Sequence, residues 1–285
     1  MTLRDDGRNA VEIPLDGKVA KRFGAYASFT TPDDPIRVDF FGDPPNREFN
    51  RLLDGYADKQ TQALDLGCGA GFTLCRIADR VQSIVGVDLQ SDLLQAAEAR
   101  IRSRGIKNAR VVHGDTTHDE TVTKLEDGRF SLAFSQRGPF LTRALASKLT
   151  PDAVFVVELA QDYLGLKQIF GRTPFVPQST GDPDWAVGAQ AGAGFVPVSA
   201  KSYWYHEYFR NADHLAAYLR RGACLENWWM EPCPYEEPRD RAALELWCRY
   251  NQDESGIRLV VHRKVYVFRR QAIDYYPATL SWADQ

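Results

Sequence analysis

Nowhere in its 285 residues does the chain carry an apolar run of bilayer length, so a transmembrane helix and a membrane partner are not expected. Residues 1–7 are polar and acidic and lack a positive segment leading into an apolar one, which argues against a secretory signal. Cysteine is sparse: Cys68, Cys75, Cys224, Cys233 and Cys248 make an odd number at irregular spacing. That pattern excludes a disulfide framework and fits no zinc site, and reduced thiols in a cytoplasm are the simplest reading. No carboxylate–histidine cluster has metal spacing, so no metal is expected. An excess of positive charge is missing too. With 35 Lys and Arg against 38 Asp and Glu, the net charge of -3 does not draw a polyanion, and a nucleic-acid partner is disfavoured. The basic groups are short: Arg100, Arg102, Arg104 and Lys107 at an expected helix end, where cations complement the dipole, and Arg263, Lys264, Arg269 and Arg270 around an expected strand. Internal repeats and low-complexity segments are absent.

What the chain does have is a β-α-β-α rhythm. Apolar, branched runs at 63–66, 84–87, 109–112, 130–134 and 153–157 do not alternate, as expected of strands buried on both faces. Amphipathic segments at 72–80, 91–104, 119–126 and 141–149 lie between them as crossover helices. The expected fold is therefore α/β, a doubly wound, mostly parallel sheet of seven strands. Residues 1–60 read as an irregular leader with short helices, because Pro32, Pro35, Pro44 and Pro45 interrupt every longer apolar pattern. The remainder, 61–285, reads as one domain. In it a helix runs to about residue 170, a Pro/Gly-rich lid loop spans 171–194, and strands lie at 195–208 and 257–269 around a helical insertion at 211–250.

The strongest local signal is Asp65-Leu66-Gly67-Cys68-Gly69-Ala70-Gly71-Phe72, directly after the first core strand and before a helix. Glycines let a backbone turn tightly and approach a ligand. The spacing is Gly-x-Gly-x-Gly with Phe72 sixth, which departs from the dinucleotide fingerprint and disfavours a nicotinamide cofactor. Asp65 is awkward beside a pyrophosphate but suits a ligand carrying an ammonium and a sulfonium, as S-adenosylmethionine does. Asp88, ending the next strand 17 positions beyond Gly71, can accept both hydroxyls of a ribose. Asp115, in Gly114-Asp115-Thr116, places a carboxylate where an adenine amine would lie, with Leu89 against the base. Asp115 can equally cap the helix that follows.

This series of strand ends resembles the class I S-adenosylmethionine-dependent methyltransferase superfamily, from about residue 63 to 159. The resemblance implies the Rossmann-like methyltransferase fold, S-adenosyl-L-methionine as cofactor, and cofactor contacts at Asp65, Gly67, Cys68, Gly69, Gly71, Phe72, Asp88, Leu89, Asp115, Thr116 and Ser135. It implies that Gln136 and Arg137, after the fourth strand, face the acceptor. No Asn-Pro-Pro-Tyr type motif stands there, so methylation of a planar amino group loses support; Asp43-Pro44-Pro45-Asn46 lies too early to supply one, and Pro232-Cys233 too late to act as a nucleophile.

Arg137 offers a fork suited to an acceptor carboxylate, or to an acidic neighbour. His118, His206, His214 and His262 are conceivable bases; His206 is the candidate, among Tyr203, Trp204, Tyr205 and Tyr208, whereas His113 reads as packing. Trp185, Trp228, Trp229 and Tyr235 add aromatic surface that suits either a pocket or a core, and Tyr26 or Phe29 could fold over the cofactor. The expected activity is methylation of a small molecule, an aromatic acceptor among the candidates. RNA methylation and a non-catalytic S-adenosylmethionine-binding protein stay open as alternatives.

Overall fold

The computed structural model describes residues 37–116, 118–159, 162–163, 170, 183–221 and 235–271. Strand β1 (Arg37–Phe40) precedes helix α1 (Pro45–Tyr56). The leader was expected to hold no long helix, because proline breaks one; here Pro44 is the extended N-cap and Pro45 opens the first turn, where a missing N–H costs nothing. Pro45, Phe49 and Leu53 recur at helical spacing and are buried, so α1 is part of the core packing. Glu48 pins its other flank: the Arg51 guanidinium and the Lys201 ammonium each lie 2.7 Å from its Oε1. The Arg51 hydrogen bond holds the Glu48 carboxyl down at about 2.

The five apolar runs become β2 (Gln62–Leu66), β3 (Ser83–Asp88), β4 (Ala109–His113), β5 (Phe130–Gln136) and β6 (Leu149–Glu158). They pair in parallel in the order β4-β3-β2-β5-β6. Between them run α2 (Phe72–Ile77), α3 (Ser91–Ser103), α4 (Asp119–Val122) and α5 (Arg143–Ala146). The last two are single turns, shorter than their amphipathic segments suggested; α5 starts where the Thr142 hydroxyl accepts from Leu145 N. Side chains alternate across the sheet, so Leu64, Val85, Phe155 and Val157 join one core and Ala63, Ile84, Val154 and Val156 the other.

After β6 the structure departs from the helix expected up to residue 170: β7 (Asp162–Tyr163) pairs with β10 instead. Helix α6 (Pro183–Gly192) occupies the end of the stretch expected to be a lid loop. Strand β8 (Phe195–Phe209), helices α7 (Ala212–Arg221) and α8 (Glu237–Asn251), β9 (Gln252–Asp253) and β10 (Gly256–Arg270) complete the order. The described part of the insertion is helical, as expected. The sheet has ten strands in the order β1-β8-β10-β6-β5-β2-β3-β4, with β7 and β9 attached to β10. The path from β8 to β4 holds the seven expected strands, and β1 adds an edge. β10 runs antiparallel to β6 and β8.

The β8/β10 pair positions everything that follows. Glu158, the last residue of β6, lies opposite Val265, which lies opposite Lys201. β8 continues from Lys201 to Phe209, so the hairpin projects roughly 26 Å past the carboxyl edge of the parallel strands, at about 3.3 Å per residue. Tyr205, Phe209, Leu259 and Val261 on this projection form a further core with Leu215, Leu219, Leu244 and Trp247 of α7 and α8. The parallel sheet thus carries a helical cap at the end where its strands finish. Among the described residues no helix is long and apolar enough to cross a membrane.

Candidate active site

Three glycines with positive φ, Gly67 (73°), Gly69 (52°) and Gly71 (76°), wind the chain from β2 into α2. The turn is tied to the next strand: Gly67 N and Cys68 N donate to Val87 O, and Gly69 N donates to Asp88 Oδ2 at 2.8 Å. Asp88 Oδ1 accepts from Gln90 N at 2.9 Å. Burial raises the Asp88 pKa, and these backbone bonds oppose the rise. Asp65 is 2% exposed and its Oδ2 has no hydrogen-bond partner. Burial, with the Asp88 charge beside it, pushes its carboxyl well above the usual range. A cleft of about 320 Å³, counted out into open solvent, is lined by Asp65, Gly67, Cys68, Ala70, Phe72, Thr73 and Gln136.

A row of hydrogen bonds leads away from this cleft. Thr73 Oγ1 donates to Gln136 Oε1 at 3.0 Å, Gln136 Nε2 donates to Glu158 Oε2 at 2.9 Å, and Arg263 Nη1 donates to Glu158 Oε1 at 2.5 Å. Glu158 is fully buried. A carboxylate only accepts, so Glu158 fixes which end of the Gln136 amide is which. The second Gln136 N–H remains for a ligand. The row links α2, β5, β6 and β10, and so joins the glycine turn to the root of the capped hairpin. Beyond it Arg263 lies 5.5 Å from the Tyr205 ring centroid, and Tyr218 O–H donates to Glu207 Oε2 at 3.2 Å.

Gly138 closes the turn after β5 against the glycine turn. A methyl at its Cα would stand 2.7 Å from Leu66 O and 2.9 Å from Ser135 Oγ, and 3.4 Å from the Gly67 Cα. Two of those atoms are backbone and cannot swing aside. Gly138→Ala is expected to cost about 1–3 kcal/mol in urea unfolding. A variant as stable as the wild type would mean that this turn yields.

Other expected residues fall into place unevenly. Leu89 is 46% exposed at the end of β3, and Asp115 lies just beyond β4, where Gly114 N donates to Asp88 O. Asp115 Oδ2 is 3.2 Å from His118 Nδ1, and Thr116 is buried. Ser135 is fully buried with no partner for its Oγ, so it supports the turn from beneath. His206 is not brought to the cleft. Tyr203 faces Arg263 across the ladder, so by alternation His206 occupies the opposite face of the sheet from Arg263 and Glu158. There it lies 3.2 Å from Tyr208 O–H and edge-on to Phe41, with burial lowering its pKa. Arg100 sits in the last turn of α3, as read, and also donates to Ala70 O at 3.2 Å and lays its guanidinium 3.7 Å over the Phe72 ring. Tyr235 belongs to the cap core. Tyr26, Phe29, Trp228, Trp229, Pro232 and Cys233 lie outside the described residues, as does the Trp185 side chain.

Residues 57–164 match the family model of a methyltransferase domain. The chain is similar in fold to a functionally unknown protein from Deinococcus radiodurans R1, with TM-score 0.57, 19% identity, and 84% of this chain and 93% of that one covered. It is also similar to a putative methyltransferase from Bacillus halodurans C-125, with TM-score 0.56, 14% identity, and coverage of 79% and 99%. A third similar structure is the YcgJ protein from Bacillus subtilis, with TM-score 0.52, 15% identity, and the same 79% and 99%. These likenesses are of fold. No curated protein matches the chain.

The residues present suit S-adenosylmethionine, the cofactor that the resemblance of the strand ends implies. The orphaned, buried Asp65 oxygen is an acceptor for an ammonium, and a carboxylate such as Asp88 keeps lone pairs for hydroxyls after two backbone bonds. Leu89 offers an exposed apolar face to a base. Among the described residues no group of three His, Cys, Asp or Glu could hold a metal.

Proposed function

We propose that this chain is an S-adenosylmethionine-dependent methyltransferase acting on a small-molecule acceptor, with an aromatic or apolar body, taken in beneath the helical cap. The observation that carries the reading is the β8/β10 projection, which stands its own apolar core beyond the carboxyl edge where the cleft opens. Open α/β sheets take ligands at that edge. The net charge of -3 gives a polyanion such as RNA nothing to follow.

The cofactor supplies an electrophilic methyl group on a sulfonium. Asp88 orients the ribose, Asp65 the methionyl ammonium, and Asp115 with Leu89 the adenine. Gln136 and Arg137 border the acceptor. Displacement at a methyl group needs alignment more than proton transfer, so these residues act chiefly by fixing distance and direction and by excluding water. The Gln136 amide, oriented by Glu158, offers its remaining N–H to the acceptor.

Calorimetric titration with S-adenosylmethionine tests the first half. Asp88→Ala is expected to weaken binding about 10- to 100-fold, the worth of hydrogen bonds to a charged group, and NAD should not compete. A screen of phenols, amines, carboxylic acids and short RNAs, read by mass gain of one methyl, tests the second. Turnover confined to RNA would overturn the small-molecule reading.

A further inference from the structure

Arg137 directly follows Gln136 and has φ 61°, the only positive value among the described non-glycine residues. A side chain in that region is strained, and strain persists where the surroundings hold the backbone from both sides. Here Arg137 N donates to Glu158 O at 2.8 Å, and the next residue, Gly138, is wedged against Leu66 O and Gly67. The strain keeps the arginine at the end of β5, one residue from the cleft lining.

Its guanidinium is equally unusual. Nε and Nη2 are buried without a hydrogen-bond partner. Arg76 leaves the same two nitrogens without a hydrogen-bond partner and Arg263 its Nε, but Arg76 is ion-paired with Asp54 and Arg263 with Glu158, whereas Arg137 has no ion pair among the described residues. An arginine does not shed its proton, so two desolvated N–H groups call for an acceptor, best of all an anion. Nε and Nη2 form the side of the fork that takes both oxygens of one carboxylate. The carboxylate of the hydrogen-bonded row, that of Glu158, already accepts from Gln136 and Arg263.

We propose that Arg137 is the seat of an oxoanion, a carboxylate or phosphate, on a molecule bound in the cleft. The inference rests on the cleft being the cofactor and acceptor site, as above. Two bound molecules could bring that group: the cofactor, through its methionyl carboxylate, or an acidic acceptor.

The test titrates wild type, Arg137→Gln and Arg137→Lys by calorimetry. S-adenosylhomocysteine carries the amino-acid carboxylate and 5′-methylthioadenosine lacks it, so a cofactor seat predicts that Arg137→Gln loses about 10- to 100-fold for the former and nothing for the latter. An acceptor seat predicts unchanged affinity for both. Benzoate or inorganic phosphate then binds the S-adenosylhomocysteine complex saturably, and Arg137→Gln abolishes this. In either case Arg137→Lys falls between, keeping the charge without the fork. Arg137→Gly controls for folding: glycine adopts this φ freely, so it should melt no lower than wild type while showing the same ligand losses. Wild-type affinities retained by Arg137→Gln in every titration overturn the proposal. Failure of wild type to bind S-adenosylhomocysteine would count against the cofactor site itself, and benzoate and phosphate titrated into the protein alone would still decide the role of Arg137.

Discussion

Glu158→Ala is expected to lower the unfolding free energy by about 3–5 kcal/mol, the range for breaking a buried ion pair from one side. The carboxylate is fully buried and accepts from both Arg263 and Gln136. Its loss removes the ion-pair partner of a permanent cation that has only 13% of its side chain exposed and lies beside the Tyr205 ring. Domains are commonly stable by only about 5–15 kcal/mol, so the variant should be marginal at room temperature. Glu158→Gln separates packing from charge. Its carbonyl can serve Arg263, but its amide then meets the Gln136 amide donor to donor, and relief comes only if Gln136 turns over. That variant should stay folded with a smaller loss, and should alter the cleft because Gln136 lines it. Urea unfolding of both variants reads the outcome; a cost below about 1 kcal/mol for Glu158→Ala would show that water relaxes into the site.

How much of this was legible in the sequence depended on the reach of each interaction. The five core strands were legible because strands buried on both faces must be apolar at every position, and such runs stand out at 63–66 or 153–157. The glycine turn, Asp65 and Asp88 were legible for a related reason: ligand loops at strand ends are local, and a charge ending an apolar run is conspicuous. Glu158 ends Val154-Phe155-Val156-Val157 in the same manner, and the same signal marks it. Its partners carried no signal, since Gln136 and Arg263 lie 22 and 105 positions away. Proline misled at Pro44 and Pro45, because the residue that breaks a helix interior also opens a first turn. Aromatic density suggested a pocket around His206, yet strand alternation alone separates it from Tyr205, its neighbour, by the thickness of the sheet.

Glu207→Gln is expected to stabilise the protein at pH 8 by about 3 kcal/mol and to have little effect near pH 4. Burial raises the Glu207 carboxyl from 4.5 to about 7, against the opposing pull of Arg263 and the Tyr218 hydrogen bond. Between those values the unfolded chain has released its proton while the folded protein keeps it. Stability conferred by that retained proton is fully present below the unfolded pKa, and it is lost as pH rises through the folded one. A rise of about 2.5 units corresponds to roughly 3 kcal/mol at 1.36 kcal/mol per unit. Glutamine can still accept from Tyr218 but has no proton to lose, so the difference between variant and wild type should grow from pH 4.5 to about 7 and then level off. Taking the difference cancels groups that titrate alike in both proteins. Parallel stability curves across pH 4.5–8 would mean that water or movement of the α7 cap hydrates the ionised carboxylate. The slope has a consequence for the site as well: Glu207 and Glu158 both feel the Arg263 charge. Protonation of Glu207 therefore leaves Arg263 to Glu158, and the row of hydrogen bonds that orients Gln136 is expected to be firmest below pH 7.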